Sequence, residues 1–282
     1  MEEAPRGLPA WSRSLLQEVG RHGSSVVALS GGVDSALVAW AAREALPDRS
    51  VAVTITSPAL ARGERDRARA VAEFLGLPHR EVPVDPLKDP RYAANPRDRC
   101  YFCRAQEGDA LGEIARSLGF AVVMDGVHRD DLGEDRPGLR ALAERGVVHP
   151  LLEVGAGKQE IRALARAVGI PNHDAPSNSC LASRVAHGEP ISVGILERVE
   201  RAESFLADLG FRQVRVRTRS GEARVEVEPS QVSRLRSPDT SQKVRRNLQS
   251  LGFTSVELDP YGYRPSGARI PSGKLLPVVQ EP

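Results

Sequence analysis

Residues 26–40 read VVALSGGVDSALVAW. An apolar run stops at Ser30-Gly31-Gly32, and from Val33-Asp34-Ser35 onward apolar residues recur at helical spacing. A buried strand running directly into a helix accounts for both halves. The turn between them aims backbone N–H groups at one point, and the helix N-terminus adds partial positive charge there. Gly31 and Gly32 let an anion approach the backbone, while Ser30 and Ser35 supply hydroxyl donors. The stretch is therefore read as a cradle for phosphate or pyrophosphate. It is not a Walker A loop, because no Gly-Lys-Ser/Thr follows.

The flanking sequence repeats the same alternation. Residues 24–30 and 51–57 read as strands, and 8–21, 34–46 and 63–76 as helices. HREVPVD forms a third strand, FAVVMDG (120–126) a fourth, and GKQEIRALARAVG (157–169) a further helix. This predicts an α/β fold, a doubly wound parallel sheet with helices on both faces. Ligands of such sheets sit at the carboxyl ends of the strands. The pattern changes near residue 190. A helix over 192–209 precedes two alternating runs around Ser220-Gly221, a hairpin signal. A helix (241–251) and a strand (253–258) complete a smaller α+β unit. The expected domains are 1–190 and 191–282, and the tail from Pro260 is expected to be irregular.

Composition excludes several classes. The chain has 282 residues with 40% hydrophobic and 27% charged content, so it can bury a core rather than stay disordered. A net charge of +2 gives no reason to invoke nucleic acid or an anionic membrane. No apolar run reaches membrane-spanning length, and the acidic N-terminus lacks a signal core. A cytoplasmic location is expected.

Two further features suit a phosphate ligand. Asp125 ends the fourth strand, and DGVHRDD places Gly126, Asp130 and Asp131 just beyond it. Carboxylates there suit Mg²⁺, which prefers hard oxygen ligands. Lys158 stands near a helix start, where the dipole disfavours a cation, and a phosphate contact would explain it.

The cysteines are Cys100, Cys103 and Cys180. An odd number without a secretion signal points to metal or catalysis rather than disulfides. Cys100-x-x-Cys103 alone fits zinc, a redox pair or an iron–sulfur cluster. Closed zinc needs a fourth ligand, for which His128, His173 and His187 are candidates. Three thiolates on a [4Fe–4S] cluster would instead leave one iron open. Arg184, four residues after Cys180, would favour its thiolate.

SGGVDS resembles the SGGxDS signature of the PP-loop ATP pyrophosphatases, which split ATP between its α and β phosphates. The resemblance implies that Ser30, Gly31, Gly32 and Ser35 hold pyrophosphate and that Asp34 assists Mg²⁺. Further blocks narrow it: DGVHRDDLGEDRPGLRAL, HPLLEVGAGKQEIRALA, SCLASRVAHGEPIS, FRQVRVR, EARVEVE and LDPYGYRPSGAR. In this order they resemble the LarE family of ATP-dependent sulfur transferases. That family acts on pyridinium-3,5-bis-carboxylic acid mononucleotide in the biosynthesis of a nickel-pincer cofactor. The chain departs from the family's DGTNxDD at Val127 and His128, and from its GYRxGSxN near the C-terminus.

The resemblance implies adenylation of a substrate carboxylate, then displacement of AMP by sulfur. In one form of the family the cysteine matching Cys180 gives up its own sulfur and becomes dehydroalanine. In the other, three cysteines hold a [4Fe–4S] cluster that carries sulfide, and Cys100, Cys103 and Cys180 match that form. Sulfide or another sulfur donor and a homo-oligomeric assembly are also implied. The mononucleotide phosphate needs cations. Strand alternation in RQVRVRTR puts Arg215, Arg217 and Arg219 on one face, so Arg215 and Arg217, with Arg184 near the sulfur, are the expected partners. The competing readings are a tRNA 2-thiolation enzyme, an amidating PP-loop ligase, and a non-enzymatic ATP-binding metal sensor.

Overall fold

The computed structural model describes residues 8–132, 136–176 and 178–264. The chain opens with α1 (Ala10–Gly20), β1 (Ser25–Ala28), α2 (Val33–Ala45), β2 (Ser50–Thr56), α3 (Arg62–Leu75) and β3 (His79–Pro83). The short α4 (Pro90–Ala93) and the long α5 (Arg99–Leu118) lead to β4 (Val122–Met124). Then come α6 (Pro137–Ala143), α7 (Pro150–Glu153) and α8 (Lys158–Ala167). The four strands form one parallel sheet in the order β3-β2-β1-β4. A single parallel bridge, Met124 to Val148, adds a minimal edge beyond β4.

Period-two alternation divides the sheet's side chains between two cores. Val27, Ala52 and Met124 join α1, α2, α3 and α8 in the larger core, while Val26, Val51, Val53 and Val123 face Leu111 and Ala115 of α5. Residues paired in register share a face, as Val26 with Val51 and Val27 with Ala52. Helix α2 is buried along nearly its whole length, and its alanines let α1 and α8 approach closely. Helices lie on both faces, as the alternation predicts. The path leaves β1 towards β2 and β3, then crosses to β4 on the other side. The switch point lies between β1 and β4, the crevice where ligands of such sheets bind.

The remaining elements are α9 (Val193–Asp208), β5 (Val214–Arg219), β6 (Glu222–Val227), α10 (Val232–Leu235), α11 (Pro238–Ser250) and β7 (Val256–Leu258). β5 and β6 are the expected hairpin around Ser220-Gly221, and β7 pairs parallel to β6. Their core, with Val199, Val216, Val225 and Leu248, also takes in Ala59, Tyr92, Leu181, Ala182 and Val185. Residues on both sides of position 190 therefore share one core. Among the described residues, no helix is long and apolar enough to cross a membrane. The tail past Arg264 lies outside the described residues.

Candidate functional site

Loop 30–32 leaves the carboxyl end of β1, and Gly32 is the N-cap of α2. Gly31 has a φ of 82°, and a Cβ there would overlap the backbone carbonyl of Glu64 on α3. Only glycine meets both demands. Ser35 Oγ accepts from Ser30 N at 3.1 Å and donates to the Gly32 carbonyl at 3.1 Å. Asn172 Nδ2 donates to the Gly31 carbonyl at 2.7 Å. These bonds fix the cradle's shape without a ligand.

The end of β4 closes against it. A Cβ on Gly126 would stand 2.5 Å from Ser35 N and 3.0 Å from Asp34 Cβ, so this backbone sits directly on the first turn of α2. Lys158 Nζ bridges both Asp34 oxygens at 2.6 and 2.5 Å. Lys158 N donates to Asp130 at 2.7 Å, and that bond holds the Asp130 carboxyl below its usual range. Asp131 accepts from His128 N at 3.2 Å and from Arg136 at 2.8 Å. His128, where the family has Asn, still caps the 129–131 turn, accepting from Asp130 N at 3.2 Å.

Ser30, Gly31, Gly32, Asp34, Ser35, Gly126, Lys158, Asp130 and Asp131 thus gather at one end of the sheet. Within that group Asp130 caps the α8 start through Lys158 N and Asp131 serves its local turn, and among the described residues no three His, Cys, Asp or Glu side chains converge on one metal position. Mg²⁺ takes most of its oxygens from water and nucleotide phosphates, so Asp34 alone is a sufficient protein ligand.

Cys100 and Cys103 lie one turn apart at the start of α5, on one face. Cys180 precedes a short turn, 181–184. All three are free. The chain brings them together: burial pushes the Cys100 and Cys103 thiols up, and the neighbouring Cys180 sulfur adds to both shifts. Cys103 also lies 3.3 Å from Glu107 Oε1. The three sulfurs do not converge tightly enough for a mononuclear site.

Two tethers set Cys180 against the rest. Leu181 N donates to the Ala59 carbonyl beyond β2 at 2.8 Å, and Asn178 Nδ2 donates to Glu64 at 2.7 Å. Glu64 is the residue whose backbone borders Gly31, so the cysteine loop and the phosphate loop share a support. A second tether reaches α5. Asn95 is fully buried with a φ of 56°, and its amide donates to the carbonyls of Ala186 (2.8 Å) and Glu189 (3.0 Å). Its Oδ1 accepts from Arg99. Asn95, Arg99, Asn172 and Glu203 were not singled out from sequence. Their signal was only that Asn95 and Arg99 flank the C-x-x-C pair.

Arg184 departs from expectation. It is buried, and all five of its N–H donors face protein acceptors: Glu203 twice at 2.9 Å, Asn178 at 2.8 Å, and carbonyls and hydroxyls of 179–183, including the Cys180 carbonyl at 2.9 Å. It shapes the Cys180 loop and has no donor left for substrate phosphate. Glu203 extends the tie by accepting from Val216 N at 2.9 Å. Arg215 and Arg217 do share a face of β5, opposite the buried Val216. Arg217 pairs with Glu226 at 2.7 Å and remains about one third exposed. Arg215 is buried, bonds the Val214 carbonyl and stacks over Tyr263. Sequence reasoning also missed a contact at the end of β4, His149 Nδ1 to Asp125 Oδ1 at 2.7 Å.

Comparison with known proteins agrees with this geometry. The NAD synthase family model matches residues 7–95, the part that contains the phosphate loop. An uncharacterized protein of Synechocystis sp. is 40% identical over 94% of this chain and 97% of its own length. The pyridinium-3,5-bisthiocarboxylic acid mononucleotide synthase of Lactiplantibacillus plantarum is 35% identical over 84% of this chain and 86% of its own length. One of the subunits of the glutamine-hydrolyzing GMP synthase of Methanocella arvoryzae is 26% identical over about half of each chain, 53% and 52%. Likeness to the mononucleotide synthase over more than four fifths of each chain, together with a PP-loop at the switch point of the sheet, shows that this chain is an ATP-dependent sulfurtransferase belonging to the LarE family of the PP-loop ATP pyrophosphatases.

Proposed function

We propose that the chain converts pyridinium-3,5-bis-carboxylic acid mononucleotide to its thiocarboxylate in nickel-pincer cofactor biosynthesis. The observation that carries this reading is the shared support of the two loops: Glu64 borders Gly31 and also binds Asn178 of the Cys180 segment. A carboxylate activated on ATP at the first loop would then lie beside sulfur at the second.

In the first step a substrate carboxylate oxygen attacks the α-phosphorus, and pyrophosphate leaves into the Ser30–Ser35 cradle. The backbone N–H groups of the loop and the α2 N-terminus offset its charge. Asp34 would hold Mg²⁺, which would offset phosphate charge, and Lys158, paired with Asp34 here, would then be free to bind the phosphates. A sulfur nucleophile then displaces AMP at the acyl carbon. Arg217 faces the substrate phosphate from the strand face it shares with the buried Arg215, and Arg184 holds the Cys180 loop in place. A [4Fe–4S] cluster on Cys100, Cys103 and Cys180 would supply an iron position open to the sulfide that is transferred.

The division of labour we propose assigns ATP to residues 1–190 and substrate and self-assembly to 191–282. The proposed setting is the cytoplasm, with a small-molecule sulfur donor and a homo-oligomer.

The test uses anaerobically purified protein with ATP, Mg²⁺, sulfide and the bis-carboxylate mononucleotide. Mass spectrometry should show the thiocarboxylate, with one pyrophosphate released per sulfur added. Pyrophosphate release without sulfur incorporation would overturn the substrate assignment. Iron and acid-labile sulfide near four each per site would support the cluster. Iron-free protein that loses sulfur from Cys180 would replace it with sacrificial transfer.

A further inference from the structure

Two buried polar groups beside the cysteines have no partner among the described residues: the Tyr92 hydroxyl and the Arg99 Nε–H. Tyr92 is 1% exposed and belongs to the core that includes Leu181, next to Cys180, with Cys103 and Phe102 packed against it. Arg99 opens α5 one residue before Cys100 and one helical turn before Cys103. Its Nη1 is anchored by Asn95, which leaves the Nε edge of the guanidinium oriented but unused.

Buried donors are almost always satisfied, because an unpaired one forfeits its hydration with no return. Phenylalanine would fill the Tyr92 position at no such cost. Two orphaned donors, one in the core that Cys103 packs against and one adjoining Cys100 on α5, point to an acceptor that the polypeptide does not provide. Anionic sulfur is the acceptor chemistry at hand.

We infer that Tyr92 and Arg99 are hydrogen-bond donors to the sulfur atoms of the cluster held by Cys100, Cys103 and Cys180. This rests on the cluster reading above. Donors to cluster sulfur offset its negative charge, favour the reduced state and raise its reduction potential. Asn95 becomes a positioning residue, since it fixes the guanidinium that donates.

The test compares full-length wild type, Tyr92→Phe and Arg99→Lys after anaerobic reconstitution with iron and sulfide. Iron per chain, the cluster's midpoint potential and the melting temperature of loaded and iron-free protein are measured. Tyr92→Phe should keep its iron yet show a more negative potential. Its iron-free form should melt no lower than wild type, while its loaded form gains less from the cluster. Arg99→Lys should shift the potential in the same direction, and it carries the test alone if Tyr92→Phe does not fold. Equal iron and equal potentials in all three proteins would overturn the inference and leave the cluster reading standing. A wild type that takes up no iron would overturn both.

Discussion

Around the phosphate loop, Ser30, Ser35 and Gly32 bond to one another, Asn172 holds the Gly31 carbonyl, and Asp34 is ion-paired to Lys158. Around Cys100, Cys103 and Cys180 the thiols are free, and Tyr92 and Arg99 keep buried donors without partners. The contrast follows from what each region binds. A phosphate cradle works through backbone dipoles, which must be aimed in advance, so its donors are tied down by the protein itself, and only the Asn172 Oδ1 acceptor beside it lacks a partner among the described residues. A sulfur site gains its charge only when a metal replaces the thiol protons. On the proposed cluster reading, its surroundings are built for a charge that the polypeptide alone does not carry, and burial pushes the Cys103 thiol up.

The largest effect should come from separating the two regions chemically. Cys180→Ser leaves the phosphate loop intact, so pyrophosphate release should persist while thiocarboxylate becomes undetectable. If both are lost together, the regions are not independent and the division fails. The reverse experiment is Gly31→Ala. The new methyl meets the Glu64 carbonyl, and φ at that position is already left-handed, so a destabilisation of about 1–3 kcal/mol is expected with loss of ATP binding. Iron uptake should stay at the wild-type level in calorimetrically confirmed folded protein. Reduced uptake would mean that Glu64 transmits loop distortion to the Cys180 segment through Asn178.

A smaller effect is expected at the substrate end. Arg217→Ala removes a partly exposed cation facing the Cys180 turn, with Nη1 3.5 Å from the Ser183 carbonyl. Losing one charge-assisted hydrogen bond to phosphate should weaken substrate binding about tenfold, with ATP affinity unchanged. Equal weakening of both ligands would place Arg217 at the nucleotide instead.

The phosphate loop was legible because its chemistry is local. Strand, glycines, serines and helix start are contiguous in 26–40, and each constrains the next. The parallel sheet was legible for the same reason, since each strand announces itself by its own apolar run. What escaped was long-range. Asn95 reaches across 91 positions to Ala186, Asn172 across 141 to Gly31, and Asn178 across 114 to Glu64. Nothing in the neighbourhood of any of these asparagines distinguishes it from a loop residue. Arg184, expected near the sulfur and among the phosphate partners, has its donors taken up by the protein. Burial turns its guanidinium inward, where Glu203, distant in sequence, neutralises it. The alternation in β5 correctly put Arg215 and Arg217 on one face but said nothing of Tyr263, which covers Arg215.

The mildest test concerns the ionised groups that surround the phosphate end. Burial is the largest single influence on the His149 imidazolium and opposes it, yet the bond to Asp125, the Asp125 charge and Glu153 together raise its pKa above 6.5. His79 is bonded to Thr54 Oγ1 at 2.8 Å instead of a carboxylate, and burial lowers its pKa. The sign of the linkage follows. His149 contributes stability that is complete below its unfolded value and is lost as pH rises through the higher folded value. His79 acts oppositely, its protonation opposing the fold as pH falls. Histidine NMR titrations should therefore place the His149 midpoint above 6.5 and that of His79 below it. Asp125→Asn should lower the His149 midpoint, because only Glu153 would then oppose burial. A His149 midpoint that stays put in that variant would show that Asp125 is not what charges it, and the contrast between an ionised phosphate end and a protonated sulfur end would lose its clearest titratable marker.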